Sequence, residues 1–390
     1  MKIQIISAAL PPKLDGIGDY TARVGGGLAE MNAVTLITSS DEATDTVSGC
    51  DIKQLFDIAD RKSIRNILPF IEQSRPDWIL LQYQPFSYGR MGLNLALPRI
   101  MQQVKKISPG TKILLMAHEP FVQILDLKHA LMTIWQRWQL RSLGKSADVI
   151  AFPIEVWARK FSAWFPAKPV VHLPVPSNIS VHQGDRDRLR RQMDISQDTI
   201  VLGMFGQAHV SYLMDWIKPT AVAVATRGIK TKVLYIGPQP DRVRDALANV
   251  PLVTTGALCA EDVSRQLACI DIFLAPFVDG ISTRRSSVMA ALHHGLPVAG
   301  TTGYNTDRVL SDNNGRGLSL TDAASQAAYT TMVADIAEDP DRRSQLASSA
   351  RELYDREFAL DRLLVKITSL LTTGAMAGEK SRMREKAVSI

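Results

Sequence analysis

A chain of 390 residues is too long for one ordinary core and suits two domains of about 150–200 residues each. With 46% apolar and 22% charged residues it has the composition of a soluble globular protein, and its apolar runs are too short to span a bilayer. The net charge of +6 favours anionic partners, phosphates or acidic headgroups, but no stripe of Lys and Arg is interleaved with aromatics, which argues against nucleic acid.

Met1-Lys2 runs straight into the strand-like stretch 3–6, so neither a signal peptide nor an anchor is expected. Apolar, β-rich runs recur at 33–38, 78–82, 112–117 and 149–152, separated by stretches of helical period such as 20–31 and 93–107. Short apolar runs alternating with amphipathic helices predict a parallel sheet covered on both faces. The alternation breaks where Pro166-Ala167-Lys168-Pro169 and Pro174-Val175-Pro176 bracket a short strand at 170–173, and a polar stretch follows over 183–198. The rhythm resumes at 199–205, 233–236, 252–255, 270–276 and 297–299. The expected organisation is an N-terminal Rossmann-like domain over 1–180 and a second over 181–358. A crossover helix over 359–372 and a flexible tail over 373–390 follow. Cys50, Cys259 and Cys269 are odd in number and lack metal spacing, which suits reduced thiols of a cytoplasmic protein.

Ligands of doubly wound folds bind beyond the carboxyl ends of the strands. After the first strand, Gly16 and Gly18 stand just before a helix, where they permit close backbone approach and offer N–H groups to a ligand. Thr21 occupies the place where a dinucleotide fingerprint needs its third glycine, which counts against a nicotinamide enzyme. His118 at the tip of the 112–117 strand could donate to a sugar hydroxyl, or serve as a packing histidine. Gln207 and His209 follow the first strand of the second half and either approach a diphosphate or cap the next helix. Leu258 lies in a tight turn whose backbone could pair with a nucleobase edge.

The densest cluster is Asp279-Gly280-Ile281-Ser282-Thr283-Arg284-Arg285-Ser286-Ser287, after the apolar run 270–276 and before a helix stopped by Gly295. A glycine, several hydroxyls and two arginines at a helix start meet the requirements of a phosphate or diphosphate site. A solvated cap with two surface arginines is the plainer alternative. His293 and His294 sit near that helix's end, where they suit the dipole, and no metal site is expected from them. Over 125–145, Leu127, Leu131, Ile134, Trp135, Trp138 and Leu143 alternate with Lys128, His129, Arg137, Arg141 and Lys145. Such a basic helix suits a membrane face or a lipid-acceptor groove; the plainer reading is a helix covering the sheet. Lys380, Arg382, Arg384 and Lys386 carry too little charge for a polybasic anchor.

Together these residues resemble the GT-B glycosyltransferases, in particular the group-1 family of retaining enzymes that use nucleotide-sugar donors. Gly16-Ile17-Gly18-Asp19-Tyr20-Thr21 looks like that family's glycine loop, and His118-Glu119-Pro120 like its strand-end histidine. The most specific match runs from Thr255-Gly256 through Asp271-Ile272-Phe273-Leu274-Ala275-Pro276 and Asp279-Gly280 to His294-Gly295-Leu296-Pro297-Val298. The resemblance implies an α/β chain with two Rossmann-like, doubly wound parallel-sheet domains facing across a cleft. It departs from the family at a pair of spaced glutamates: aligned back from Gly295, Ser282 and Ala290 stand there, and aligned forward from the turn, Asp279 takes the first place. The family's Arg/Lys pair is also missing, with Gln207 and His209 in its neighbourhood.

The activity this resemblance implies is transfer of a sugar from a nucleoside-diphosphate-sugar donor to a glycan, lipid-linked or small-molecule acceptor, in glycan or polysaccharide biosynthesis. Asp279 would bind sugar hydroxyls and His118 the sugar face, with Gly16 and Gly18 shaping the site. Arg284, with Arg285, Gly280, Ser282, Thr283 and Ser286, would neutralise the leaving diphosphate without a metal or other cofactor. Gln207, His209 and Leu258 complete the donor set, and peripheral contact with the inner face of the cytoplasmic membrane is expected of the basic helix. An inactive paralogue that binds sugar nucleotides as a scaffold, and a sugar-nucleotide epimerase, are the alternatives.

Overall fold

The apolar runs form two sheets in which every strand pair is parallel. The computed structural model describes residues 1–41, 43–60 and 62–387, the side chains of 374–387 excepted. The first sheet holds β1 (Lys2–Ile6), β2 (Ala33–Ser39), β3 (Cys50–Phe56), β4 (Trp78–Tyr83), β5 (Lys112–Ala117), β6 (Val149–Phe152) and β7 (Val170–His172). Their order is β3-β2-β1-β4-β5-β6-β7. The second holds β8 (Ile200–Phe205), β9 (Thr231–Ile236), β10 (Leu252–Thr254), β11 (Ile272–Ala275), β12 (Val298–Thr302) and β13 (Leu318–Asp322), in the order β10-β9-β8-β11-β12-β13. In each sheet the strand order reverses once, between β1 and β4 and between β8 and β11, which makes both doubly wound.

Two strands lack the expected signal, β3 and β13, and both lie at sheet edges. An edge strand is covered on fewer sides, so Asp51, Lys53 and Gln54 of β3 and Ser319, Thr321 and Asp322 of β13 interrupt the apolar run. The central strand β4 is buried at every position, and its pattern was plain in the sequence.

Packing divides the chain into Met1–Pro174 together with the residues from Leu360 onward, and Val175–Ala359. The helix Leu360–Ala387 therefore belongs to the N-terminal unit, where it lies against the helix Gly16–Ala29. Gly27 allows that contact, since a Cβ there would stand 2.4 Å from Leu364 Cδ1. The tail expected to be flexible, with its basic residues Lys380 to Lys386, falls largely outside the described residues and side chains.

In the C-terminal unit, Asp271 just before β11 ties the sheet to the short helix Arg186–Gln192. Its Oδ2 accepts from the Val201 N–H (2.7 Å) and from Arg190 Nη1 (3.3 Å), and its Oδ1 from Arg186 Nη2 (2.6 Å). The Arg190 side chain is 4% exposed and that of Arg186 is 38% exposed, so the two pairs differ in worth. Asp271→Ala strands a buried guanidinium and is expected to cost about 3 kcal/mol. Arg186→Ala removes a partly solvated pair and is expected to cost less than about 1 kcal/mol. Urea unfolding of the two variants measures the difference; equal losses would contradict it.

Candidate functional site

Two polar clusters follow the carboxyl ends of strands, one in each unit. In the N-terminal unit the helix Gly16–Ala29 opens under a side-chain cap: Asp15 Oδ1 accepts from the N–H groups of Ile17 (3.0 Å) and Gly18 (2.7 Å). This corrects the expectation that the glycine loop leaves these N–H groups to a ligand, because the carboxylate at the cap already takes them. Gly18 is needed for a close approach, as a Cβ there would stand 3.1 Å from the Ala9 carbonyl oxygen; at Gly16 the space is open.

His118 lies just past β5, 8% exposed, with its N–H donating to the Tyr83 carbonyl (2.8 Å) and its ring edge-on to Tyr20 at 5.0 Å. Its Nε2 is 2.8 Å from Gln82 Oε1, an atom that only accepts, so Nε2 carries the proton and Nδ1 is the acceptor nitrogen. Burial pushes its pKa down to about 3, and the ring is neutral at physiological pH. The structure shows the packing role of His118: Nε2 is held by Gln82, and Nδ1 of the neutral ring is a hydrogen-bond acceptor.

In the C-terminal unit the loop after β11 is assembled around Asp279, which is 3% exposed. Arg285 Nη2 makes a short contact with Asp279 Oδ1, while Oδ2 accepts from Arg284 Nη2 (3.3 Å) and Asn305 Nδ2 (3.1 Å). Burial works to raise the carboxyl's pKa, but Arg285, the Asn305 hydrogen bond and Arg284 outweigh it and hold the group below its usual range. Burial also lowers the Arg285 guanidinium to about 10, against the opposing pull of Asp279, so both partners are charged at neutral pH. Arg285 is further pinned over the Phe277 ring (3.5 Å) and by Ser211 Oγ (3.3 Å). Ser211 in turn lies 2.9 Å from His209 Nδ1, which joins His209 to the cluster.

The turn itself needs glycine. Gly280 has φ +80°, and a Cβ on it would meet Gly303 N at 2.3 Å; a Cβ on Gly303 would meet the Asp279 carbonyl carbon at 2.5 Å. The loops after β11 and β12 therefore touch backbone to backbone. Thr283 turns inward, with its N–H (2.7 Å) and Oγ1 (2.8 Å) both donating to Asp307 Oδ2, and Ser282 is also fully buried. These two expected donor contacts are buried in the loop, and Thr283 anchors it. The helix Ser286–His293 then starts with no side-chain cap. The first-turn N–H groups of Ser286 and Ser287 have no intrahelical acceptor and stand beside Arg284 and Arg285.

Asp279, Gly280, Arg284, Arg285, Ser286 and His209 are thus brought together in one loop cluster, whereas Gln207 is exposed and the Leu258 side chain packs on the core. Asn305, Ser211 and Asp307 carry site geometry and were not singled out from the sequence. The polar turn Tyr304-Asn305-Thr306-Asp307 beyond β12 was the signal available for two of them. Ala290, one of the positions aligned with the missing glutamates, is fully buried against the core. Among the described residues no cluster of three or more His, Cys, Asp or Glu side chains could hold a metal ion.

No family model and no curated protein matches the sequence. Solved structures do match. A sucrose-phosphate synthase from Thermosynechococcus elongatus has a TM-score of 0.74 at 14% identity, over 97% of this chain and all 100% of that one. HepE from Anabaena, in complex with UDP and glucose, has a TM-score of 0.67 at 12% identity, over 96% and 100% of the two chains. The chain has the GT-B fold. An α,α-trehalose 6-phosphate synthase from Burkholderia multivorans shares it, with a TM-score of 0.67 at 9% identity over 98% of each chain. In this GT-B chain both polar clusters, His118 after β5 and Asp279–Ser287 after β11, lie where a doubly wound sheet presents ligand sites.

The buried charges set a pH dependence. Asp279 is depressed in the folded chain, so it contributes stability that is present above its unfolded pKa of about 4 and lost as the pH falls below it. Asp279→Asn leaves two guanidiniums without their carboxylate and is expected to cost about 3 kcal/mol at neutral pH, with less further loss in acid. His118 is also depressed, from about 6.5 unfolded to about 3, and the unfolded chain binds the proton first. It is expected to withdraw about 2 kcal/mol between neutral pH and pH 5. Chemical unfolding against pH checks both, with His118→Gln flattening the curve in that window; an unchanged slope would contradict the buried neutral ring.

Proposed function

We propose that the chain is a glycosyltransferase that moves a sugar from a nucleoside-diphosphate-sugar donor to a hydroxyl acceptor, with retention at the anomeric carbon. The observation that carries this reading is the uncapped start of the helix Ser286–His293 beside Arg284 and Arg285, just past β11. As the bond between the sugar and the diphosphate lengthens, negative charge builds on the leaving phosphate. Arg284 and Arg285 supply the guanidiniums, and the Ser286 and Ser287 N–H groups add the positive end of the helix. Arg284 is the more exposed of the two cations and takes the phosphate; Arg285 is pinned and positions the loop.

A carboxylate offers about four lone-pair sites. Arg285, Arg284 and Asn305 take three on Asp279 and its own backbone N–H adds to them, so the carboxylate acts by holding the two cations in place. In the N-terminal unit, His118 Nδ1 offers an acceptor for a hydroxyl. The GT-B fold shared with HepE, a structure solved with UDP and glucose, supports the donor class. Fixed guanidiniums do here what a divalent cation does in a metal-dependent transferase, and glycan or polysaccharide synthesis in the cytoplasm is the process proposed.

The test is nucleoside-diphosphate release from a panel of UDP-, GDP- and ADP-sugars, with thermal shift by the free diphosphates. Arg284→Ala is expected to lower kcat/KM about 100-fold, together with a lower Tm because Asp279 loses one of its three partners. EDTA is expected to leave the rate unaltered, and activity that returned only with Mg²⁺ or Mn²⁺ would overturn the metal-free account. A diphosphate that stabilises the chain with no release from any sugar would favour the inactive sugar-nucleotide-binding paralogue. Neither binding nor release across the panel would sink the proposal.

A further inference from the structure

The helix Leu127–Ser146 of the N-terminal unit buries one face, through Met132, Leu140 and Leu143, and yet is apolar on the opposite one. Leu127, Leu131, Ile134 and Trp138 recur at helical spacing and are all exposed, Leu127 by 78% and Ile134 by 67%. Ile124 and Leu125 continue the strip before the helix. On the adjoining segment Met91, whose carbonyl accepts from Trp135 Nε1 (3.1 Å), and Leu95 are exposed as well. A contiguous patch of this kind on the surface of a folded chain marks a contact surface.

Its charge says what the contact is. From Leu127 to Ser146 the helix holds Lys128, Arg137, Arg141 and Lys145 and no carboxylate. Asp126, just before it, is occupied as the cap, accepting from the His129 N–H at 2.8 Å. Arg137 and Arg141 are held over the rings of Phe121 (4.9 Å) and Trp164 (4.1 Å), so their charge is fixed at the edge of the strip. Beyond Leu95, a cavity of about 210 Å³ is lined by Lys62, Arg65 and Arg99. The neighbouring helix Ala96–Ile107 adds Lys106 and likewise has no carboxylate, while its Lys105 is paired with Asp148 (2.5 Å). Exposed apolar side chains bordered by cations match a surface that offers hydrocarbon beneath a layer of phosphates.

We infer that this face docks the N-terminal unit onto a bilayer rich in anionic lipid. Leu127, Leu131, Ile134 and Trp138 enter the headgroup boundary. The cations, with the Lys62–Arg65–Arg99 cavity, receive lipid phosphates. No helix among the described residues is long and apolar enough to cross a membrane, so the contact is peripheral. The surface is distinct from the Asp279 loop, and docking stands or falls independently of the donor chemistry.

The experiment is co-sedimentation of the full chain with vesicles of phosphatidylglycerol and phosphatidylcholine in equal parts, against vesicles of phosphatidylcholine alone, at low and high salt. Binding is expected to the anionic vesicles, to weaken with salt, and to shift tryptophan emission to the blue, a shift that Trp138→Phe reduces. Leu131→Asp/Ile134→Asp is expected to lower the partition coefficient more than tenfold with an unchanged Tm, because both side chains are exposed. Lys128→Gln and Lys145→Gln are each expected to lower it about fivefold. Absence of binding at low salt overturns the inference, as does binding that survives Leu131→Asp/Ile134→Asp. A dimer in sedimentation velocity that Leu131→Asp/Ile134→Asp dissolves would also overturn it, by assigning the face to a second copy.

Discussion

The loop that gives the C-terminal unit its chemistry is built around a single buried anion. Asp279 lies almost entirely out of water, and an isolated carboxylate there would be costly. Its three partners remove that cost and in doing so acquire fixed positions: Arg285 is locked between the carboxylate, the Phe277 ring and Ser211, and Arg284 beside it. Asn305 reaches the same carboxylate and its N–H donates to the Asp279 carbonyl (3.0 Å), so the loop after β12 is held by the same residue. The close backbone approach at Gly280 and Gly303 leaves that arrangement little room to shift.

The two units use the same element, a helix starting beyond a strand, in opposite ways. At Gly16 the positive helix end is spent internally on Asp15, and the nearby polar group is a neutral imidazole held by Gln82. At Ser286 no side chain caps the helix, and the Asp279 carboxylate nearby is already shared among two guanidiniums and an amide. The helix start at Ser286 therefore keeps its positive end for a ligand, and the one at Gly16 does not.

The helix Leu127–Ser146 shows why pattern alone leaves some surfaces ambiguous. Apolar side chains on two opposite faces cancel in any measure of amphipathicity, so the sequence shows a basic helix with apolar bulk and does not say which residues the sheet covers. Packing sorts them: Met132, Leu140 and Leu143 inward, Leu127, Leu131, Ile134 and Trp138 outward.

The sequence by itself determined the class of fold, because parallel strands buried on both faces must be nearly continuous apolar runs, and β4, β5 and β6 are such runs apart from Gln82 and Lys112. It also located the Asp279–Ser287 loop, since glycine, hydroxyls and arginines after a buried strand form a local signal. It did not show β3 and β13, whose edge positions relax the need for apolar residues. Nor did it show that Thr283 turns inward to Asp307, that Asp15 closes the glycine loop, or that Asn305 and Ser211 complete the cluster. Asn305 lies 26 positions from Asp279 and Ser211 lies 74 from Arg285. Local pattern governs which segments are buried; only tertiary structure decides which polar groups from distant loops meet, because that depends on where the parallel strands end side by side.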